Sequence, residues 1–430
     1  MNINGELIYG WAKDLFPICR SITGPGVRET LSYIKKLIPD LKIHEIKTGT
    51  KVFDWEIPNE WIIRDAFILD EAGNKIIDFK KNNLHVVNYS EPVDKFLNLD
   101  ELNAHLYSLP DQPTAIPYIT SYYEKRWGFC INEDFRKSLK PGSYQAYIDS
   151  DIRPGVLNYA DVIIPGQSDK EIFFSTYICH PSMANNELSG PVVATALIKW
   201  LTSFKEKPRY TYRFIFVPET IGSITYLAKN LDYLKEHVIA GFNLTCLGDD
   251  RCFSFVPSRN GDTLADKVAL HVLGNIDTNY IKYTWLDRGS DERQYCAPGV
   301  DLPVINMMRS KHGTFPEYHT SLDDLKFVTP TGLEGGFQIH KNAIKILENN
   351  MIVKSTVLGE PQLGKRGLRP QVGEKTNADK VMTLMNILSY CDGKMTILEI
   401  ADIINESFNN IYPIIEKLVE HGLLTKKYDQ

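Results

Sequence analysis

The apolar positions from Glu6 to Leu37 follow a helical spacing: Leu7, Ile8, Trp11, Leu15 and Phe16, then Val27, Leu31, Ile34 and Leu37. The run Gly24-Pro25-Gly26 interrupts the pattern, which therefore predicts a helical hairpin. From about Lys47 to Leu139 the texture changes to short alternating runs such as Ala66-Phe67-Ile68-Leu69 and Leu84-His85-Val86-Val87, with a turn at Glu71-Ala72-Gly73-Asn74. That texture predicts a small β-rich domain, 47–139, inserted into a larger one made of 1–46 and 140–358. Between about Gly142 and Met351, continuous apolar runs (Ile172 to Thr176, Tyr212 to Val217) alternate with helical segments (Gly190 to Phe204, Ile221 to Leu231). Strand, helix, strand, helix is the pattern of an α/β fold with a mixed, largely parallel sheet sandwiched by helices, in which ligands bind beyond the carboxyl ends of the strands. A linker rich in Gly, Pro, Lys and Arg, Gly359 to Glu374, leads into a tail, 375–430. Its three helical patterns and a short Leu423-Leu424-Thr425-Lys426-Lys427 strand outline a winged helix-turn-helix.

With 430 residues, 43% of them hydrophobic, the chain can bury a large core and divide into more than one domain. A balance of 54 acidic against 48 basic side chains, net charge -6, provides no general basic field for a nucleic acid or an anionic membrane. Locally, the third helical pattern of the tail, Asn410 to His421, has Glu416 and Glu420 against Lys417 and no arginine, and only Lys426 and Lys427 stand on the wing. Phosphate contacts come mainly from Lys and Arg, so the tail is expected to meet a protein partner or a second copy rather than DNA. The 7 cysteines are odd in number and scattered, some in apolar runs such as Tyr177-Ile178-Cys179, as in a reducing compartment. Met1 to Gly10 lacks the pattern of an export signal and no run of ~18 apolar residues occurs, so a cytoplasmic protein without a membrane span is expected.

The candidate chemistry lies at strand ends. The apolar run Ile172 to Cys179 stops at His180, and Glu187 follows at the start of the next helix, a spacing that lets one nitrogen and one oxygen meet a metal ion. A capped or hydrogen-bonded loop histidine is the alternative. The next apolar run ends at Pro218-Glu219-Thr220-Ile221-Gly222, where Glu219 is suited to be a general base or a first-turn acid favoured by the helix dipole. A third delivers Asp249 and Asp250, either of which also suits a turn. Ser290-Asp291-Glu292-Arg293 and Tyr318-His319-Thr320 complete the set with a second histidine. Trp55, Trp61 and Trp127 of the β-rich stretch read as a small core rather than a sugar-binding aromatic face, and the stretch could also roof the cleft and limit substrate size.

In this order, His180, Asn186-Glu187-Leu188-Ser189-Gly190, Pro218-Glu219-Thr220-Ile221-Gly222, Ser290-Asp291 and Tyr318-His319-Thr320 resemble the zinc aminopeptidases of the superfamily that includes leucyl aminopeptidases and glutaminyl cyclases. Leu15 to Gly24 and Ile116 to Tyr123 resemble a subgroup with an inserted β domain and a C-terminal winged helix, often associated with polysaccharide biosynthesis. The resemblance implies a zinc-peptidase-like fold and a metal-dependent hydrolase of a short peptide or N-acylated small molecule. It also exposes departures: where two-zinc members carry metal-binding carboxylates, this chain has Asn186, Thr220 and Thr245. Two dications need carboxylates to offset them, so one Zn²⁺ per chain is expected, held by His180, Glu187 and His319, with Asp249 as a further ligand or a carboxylate orienting a histidine. Glu219 would then be the base, Tyr318 or Arg293 would steady the oxyanion, and Asp291 or Glu292 would hold a substrate ammonium. The neutral substitutions also suit an alternative, a metal-binding protein that holds a ligand or partner without catalysis.

Overall fold

The computed structural model of the chain describes residues 3–368 and 375–428. Met1 and Asn2, residues 369–374 of the expected linker, and residues 429 and 430 of the expected tail lie outside the described residues. The chain forms two compact units: Met1–Asp266 with Tyr280–His340, and Lys267–Asn279 with Lys341–Gln430.

The first unit is built on an 8-stranded sheet in the order Lys42–Lys47, Val156–Ile164, Thr211–Val217, Glu171–Tyr177, Val238–Asn243, Val304–Met308, Ser254–Val256, Ile281–Lys282. The four strands from Thr211–Val217 to Val304–Met308 run parallel, and antiparallel neighbours flank them on either side. Glu171–Tyr177 is buried along its whole length because it has strands on both edges, which is why its sequence shows no alternation: Ile172, Phe173, Phe174 and Tyr177 are apolar, and Glu171, Ser175 and Thr176 are buried with partners of their own. The α/β fold with a mixed, largely parallel sheet is therefore as expected. The amino-terminal hairpin is the pair Gly5–Leu15 and Pro25–Leu37, with Gly24 at φ 105, the left-handed region that favours glycine, between them.

The β-rich stretch departs from its expected boundaries. Its 4-stranded antiparallel sheet, ordered Lys75–Asp78, Glu60–Leu69, Ser143–Arg153, Val93–Asn98, has as an inner strand Ser143–Arg153, which lies beyond residue 139. That strand alternates buried and open positions, and its hydrogen bonds to both neighbours tie it to this sheet. The stretch is also not a separate unit. Trp61, Ile68 and Ile148 belong to one apolar cluster with Leu157, Phe173 and Ile215 of the large sheet. Burying the two sheets in one core stabilises both, at roughly 25 cal/mol per Å² of apolar surface removed from water.

The second unit holds helices Lys375–Tyr390, Ile397–Ile403 and Phe408–Glu420 and a 3-stranded antiparallel sheet in the order Asp392–Thr396, Ile352–Ser355, Leu424–Lys427. This is the expected winged helix, extended at its start: Ile352–Ser355 lies before the boundary at 358 yet pairs with both other strands. Thr396 and Glu399 form a capping box at the second helix, and Ser407 caps the third. No helix among the described residues is long and apolar enough to cross a membrane.

Candidate active site

Two strand ends of the first unit meet at one cleft. After Glu171–Tyr177 the chain passes through Ile178 and Cys179 to His180, then forms a single π-helical turn, Ala184–Leu188, before the α-helix Ser189–Leu201. Such turns are uncommon and favour functional positions. This one is pinned by Asp323, whose carboxylate accepts the backbone N–H of Asn185 at 2.6 Å and of Asn186 at 2.8 Å. Gly190 lets the helix start sit directly on the sheet, since a Cβ there would lie 2.3 Å from both Leu244 O and Thr176 Oγ1. The result turns Glu187 inward, where its Oε2 lies 2.8 Å from His180 Nδ1.

The opposite edge of the His180 ring faces the second strand end: Nε2 is 3.6 Å from Glu219 Oε2. Glu219 is followed by Thr220 at φ 65, a left-handed conformation that costs a threonine about 1–3 kcal/mol unless its surroundings hold it. Here they do: Thr220 N–H donates to Asp291 Oδ1 at 2.8 Å, and its Oγ1 accepts Arg293 Nη2 at 2.8 Å. His319, at φ 55, comes from the loop before the helix Pro330–Asn349, and Tyr118 N–H holds it by donating to its carbonyl at 2.8 Å. The His319 ring stacks on Tyr318 at 3.9 Å and lies 5.3 Å from the His180 ring. Its Nε2 is buried and has no hydrogen-bond partner. His180, Glu219, His319 and Arg293 line one cavity of about 350 Å³ with Tyr118 and Trp55.

Burial dominates the electrostatics. It pushes His180 and His319 down to about 3, so both rings are neutral near pH 7 with nitrogen lone pairs available. It pushes Glu187 up to about 8, against the Arg20 guanidinium, and Glu219 up to about 8, with the neighbouring Asp291 acting in the same direction. Asp323 is likewise raised to about 7.

Several expected roles change. Asp249 is fully buried but touches no histidine: Asn185 and the Ser310 N–H donate to one oxygen, the Arg251 N–H and Ser310 hydroxyl to the other, so it is neither a ligand nor an orienting carboxylate. Asp291 and Glu292 do not face the cleft. Asp291 braces the Glu219 turn through Thr220 and Ser223, and Glu292 accepts the Gly289 and Ser290 N–H groups, so neither is placed for an ammonium. Arg293 does reach the cleft, and Tyr318 packs on His319. Glu187, expected as a metal ligand, lies against Nδ1, on the ring edge away from Glu219.

Cys179, His180 and Glu187 offer ligating atoms within 4.8 Å of one another. That face of His180 is already filled, and the Arg20 guanidinium 3.7 Å from Glu187 opposes a further cation. The Nε2 side faces Glu219 in the cleft that His319 also lines, and His319 Nε2 has no partner, so His180 and His319 are the neutral donors that a single divalent ion there would draw on. The residues do not fit two. Asn186 and Thr245 are locked in neutral hydrogen bonds with Tyr177, and Thr220 with Arg293.

Sequence reasoning missed Arg20, Asp323 and Tyr118. Arg20 is wholly buried, donating to the carbonyls of His180 at 2.9 Å and Leu15 at 2.8 Å. Its signal is an arginine inside the apolar and small run Ile18-Cys19-Arg20-Ser21-Ile22. Asp323, far away in sequence and set among turn residues, carried none.

The family model described as a domain of unknown function, DUF4910, matches residues 9–350, and a winged helix-turn-helix model matches 351–426. A Clostridium acetobutylicum protein, provisionally named for polysaccharide biosynthesis with an aminopeptidase-like domain, is 43% identical over 399 residues, 92% of this chain and 91% of its own. A solved C. acetobutylicum structure, provisionally named a peptidase, superposes with a TM-score of 0.92 at 41% identity, covering 98% of this chain and 96% of that one. A Bacillus subtilis zinc aminopeptidase superposes with a TM-score of 0.57 at 12% identity, covering 80% of this chain and 95% of that one. A Shewanella amazonensis M28 peptidase precursor gives 0.57 at 12%, with 83% and 95% covered. The last two establish the fold, which is that of the zinc aminopeptidases, as the order of motifs implied.

Proposed function

The chain belongs to the DUF4910 family, and from that premise we propose that it is a zinc-dependent amide hydrolase of aminopeptidase type with one metal ion, acting on a short peptide or N-acylated small molecule. The observation that carries the reading is the pair of neutral histidines, His180 buried and His319 half-buried, that line one cleft with Glu219. His180 and His319 would hold the ion through Nε2. When bound, zinc supplies Lewis acidity toward an amide carbonyl and a water.

The protein's own groups do the rest. Glu187 accepts from His180 Nδ1, fixing the ring and its tautomer, and Arg20 holds the His180 carbonyl from behind. Glu219, in its ionised form, takes a proton from the attacking water on Oε2 and returns it to the leaving nitrogen. Tyr118 and Tyr122, hydrogen-bonded to each other at 2.7 Å, wall the cleft and limit the water around the reacting bond. Glu219→Gln should lower turnover of N-acyl and aminoacyl amides by about 10²-fold or more while elemental analysis finds zinc unchanged. Activity retained in that variant would rule out Glu219 as the proton carrier.

The winged-helix unit we read as a protein-contact or self-association module. Glu416 on its third helix ties up the wing lysine Lys426 at 2.7 Å, removing one of the few charges available to a phosphate backbone.

A further inference from the structure

The charges facing the cleft are unbalanced in a way that selects a substrate. Its charged lining side chains are Glu219 and Arg293. Asp291 and Glu292, the acids nearest in sequence to Arg293, are buried outside the cleft lining, Asp291 Oδ1 accepting the Thr220 N–H and Glu292 Oε1 the Gly289 and Ser290 N–H groups, and neither forms an ion pair with Arg293. Arg293 is exposed, its Nη2 donates to the neutral Thr220 hydroxyl, and no carboxylate among the described residues pairs with it. The threonine leaves the guanidinium charge available. No second carboxylate lines the cleft among the described residues, so a substrate ammonium would meet only Glu219 there, whereas the Arg293 guanidinium offers a carboxylate a partner. At the mouth, Trp55 and Tyr123 are both exposed, their rings 5.8 Å apart at 64°, an apolar corner across from the charged wall.

We infer that the substrate is an N-acylated amino acid, with its free carboxylate on Arg293, its apolar part against Trp55 and Tyr123, and no free ammonium. The inference rests on the amide-hydrolase reading and names its substrate class. A planar carboxylate suits the guanidinium edge left open by Thr220, where a paired hydrogen bond is stronger than one to a neutral group. Water adds across the amide C–N bond. The acyl half leaves as a carboxylic acid and the nitrogen half as the free amino acid, with Glu219 carrying the proton from water to nitrogen.

The test uses the full zinc-loaded chain carrying Glu219→Gln, titrated calorimetrically with N-acetyl-L-phenylalanine, N-acetyl-L-phenylalaninamide and L-phenylalaninamide. N-acetyl-L-phenylalanine should bind about tenfold more tightly than either amide, as a charge-assisted hydrogen bond at Arg293 requires. Adding Arg293→Gln, or separately Thr220→Glu, should erase most of that advantage. Tightest binding by L-phenylalaninamide, or a preference for the carboxylate that survives Arg293→Gln, would overturn the inference. Turnover by the unmutated chain separates the two readings. If the carboxylate preference holds but no amide is cleaved, the substrate chemistry stands and the hydrolase reading falls. If L-phenylalaninamide is cleaved faster than N-acetyl-L-phenylalanine, the hydrolase reading stands and the inference falls.

Discussion

Two regions of this protein bury histidines and use them in opposite ways. In the C-terminal unit both ring nitrogens of His271 are taken: Nδ1 lies 2.6 Å from Asp402 Oδ1, and Nε2 accepts the Phe408 N–H at 2.9 Å, capping the helix Phe408–Glu420. In the cleft, His180 engages only Nδ1, and His319 leaves Nε2 without a partner. A buried polar atom without a hydrogen bond costs about 1–3 kcal/mol. The first arrangement contributes stability, whereas the second gives some up and gains a place for a ligand. An unpartnered nitrogen is not diagnostic alone: His312 and His340 also leave Nε2 unpaired, but His340 lies among the rings of Phe174 and Phe242, and neither histidine lines the cleft. Position on the cleft together with the missing partner marks His319.

The largest expected effect separates these roles through the metal. His180→Ala and His319→Ala should each weaken zinc binding by well over tenfold in equilibrium dialysis, while His271→Ala should leave it unchanged; zinc binding that survives both cleft variants would erase the distinction. Glu187→Gln, which changes only the group behind His180, should cost about 10–100-fold in affinity. The stability ranking should run the other way. His271→Ala leaves the Phe408 N–H buried and unpaired, so denaturant unfolding should show a loss of about 1–3 kcal/mol. Removal of the unsatisfied His319 ring from zinc-free protein should cost less, and an equal loss would mean that the two histidines play the same role.

The smallest effect is pH dependence in zinc-free protein. Glu187 and Glu219 have folded-state values raised to about 8, so their contribution is fully present below their ordinary unfolded value and is lost as pH rises toward 8. His180 and His319, lowered to about 3, act oppositely, adding stability as pH rises from about 3 to the ordinary histidine value near 6.5. The two trends offset each other between the ordinary glutamate value near 4.5 and about 6.5. Above that window the carboxyl groups act alone, so stability should fall between about pH 6.5 and 8, by on the order of 1 kcal/mol per group. Chemical denaturation across that window should show the decline, and Glu187→Gln should reduce it. A flat profile would mean that these carboxyls are not buried as described.

What was legible in the sequence follows from the same contrast. The run Ile172 to Cys179, ending at His180, announced a strand end with chemistry because burial on both faces leaves such a strand without alternation. His319 and Glu219 were legible through motif order. The division of labour around His180 was not: Glu187 precedes a glycine at a helix start, and nothing in that spacing tells which ring nitrogen it meets. That depends on the π-helical turn and on Asp323, which lies more than a hundred residues away in sequence. For the same reason Asp291 and Glu292, adjacent acids in a polar stretch, read as available for a ligand although neither lines the cleft and one oxygen of each holds backbone N–H groups. The edge of the β-rich stretch was missed because Ser143–Arg153 alternates like any half-buried strand, and alternation does not say which sheet it joins.

The most direct test of the central claim, one catalytic zinc at His180 and His319 with Glu219 as proton carrier, is turnover of N-acyl and aminoacyl amides by metal-free protein as zinc is added back. Activity should rise linearly and level off at about one equivalent per chain, as a site with one set of neutral histidine donors requires. Glu219→Gln should bind the same equivalent without turnover. A plateau at two equivalents, or binding of one with no amide cleaved at any loading, would contradict the account.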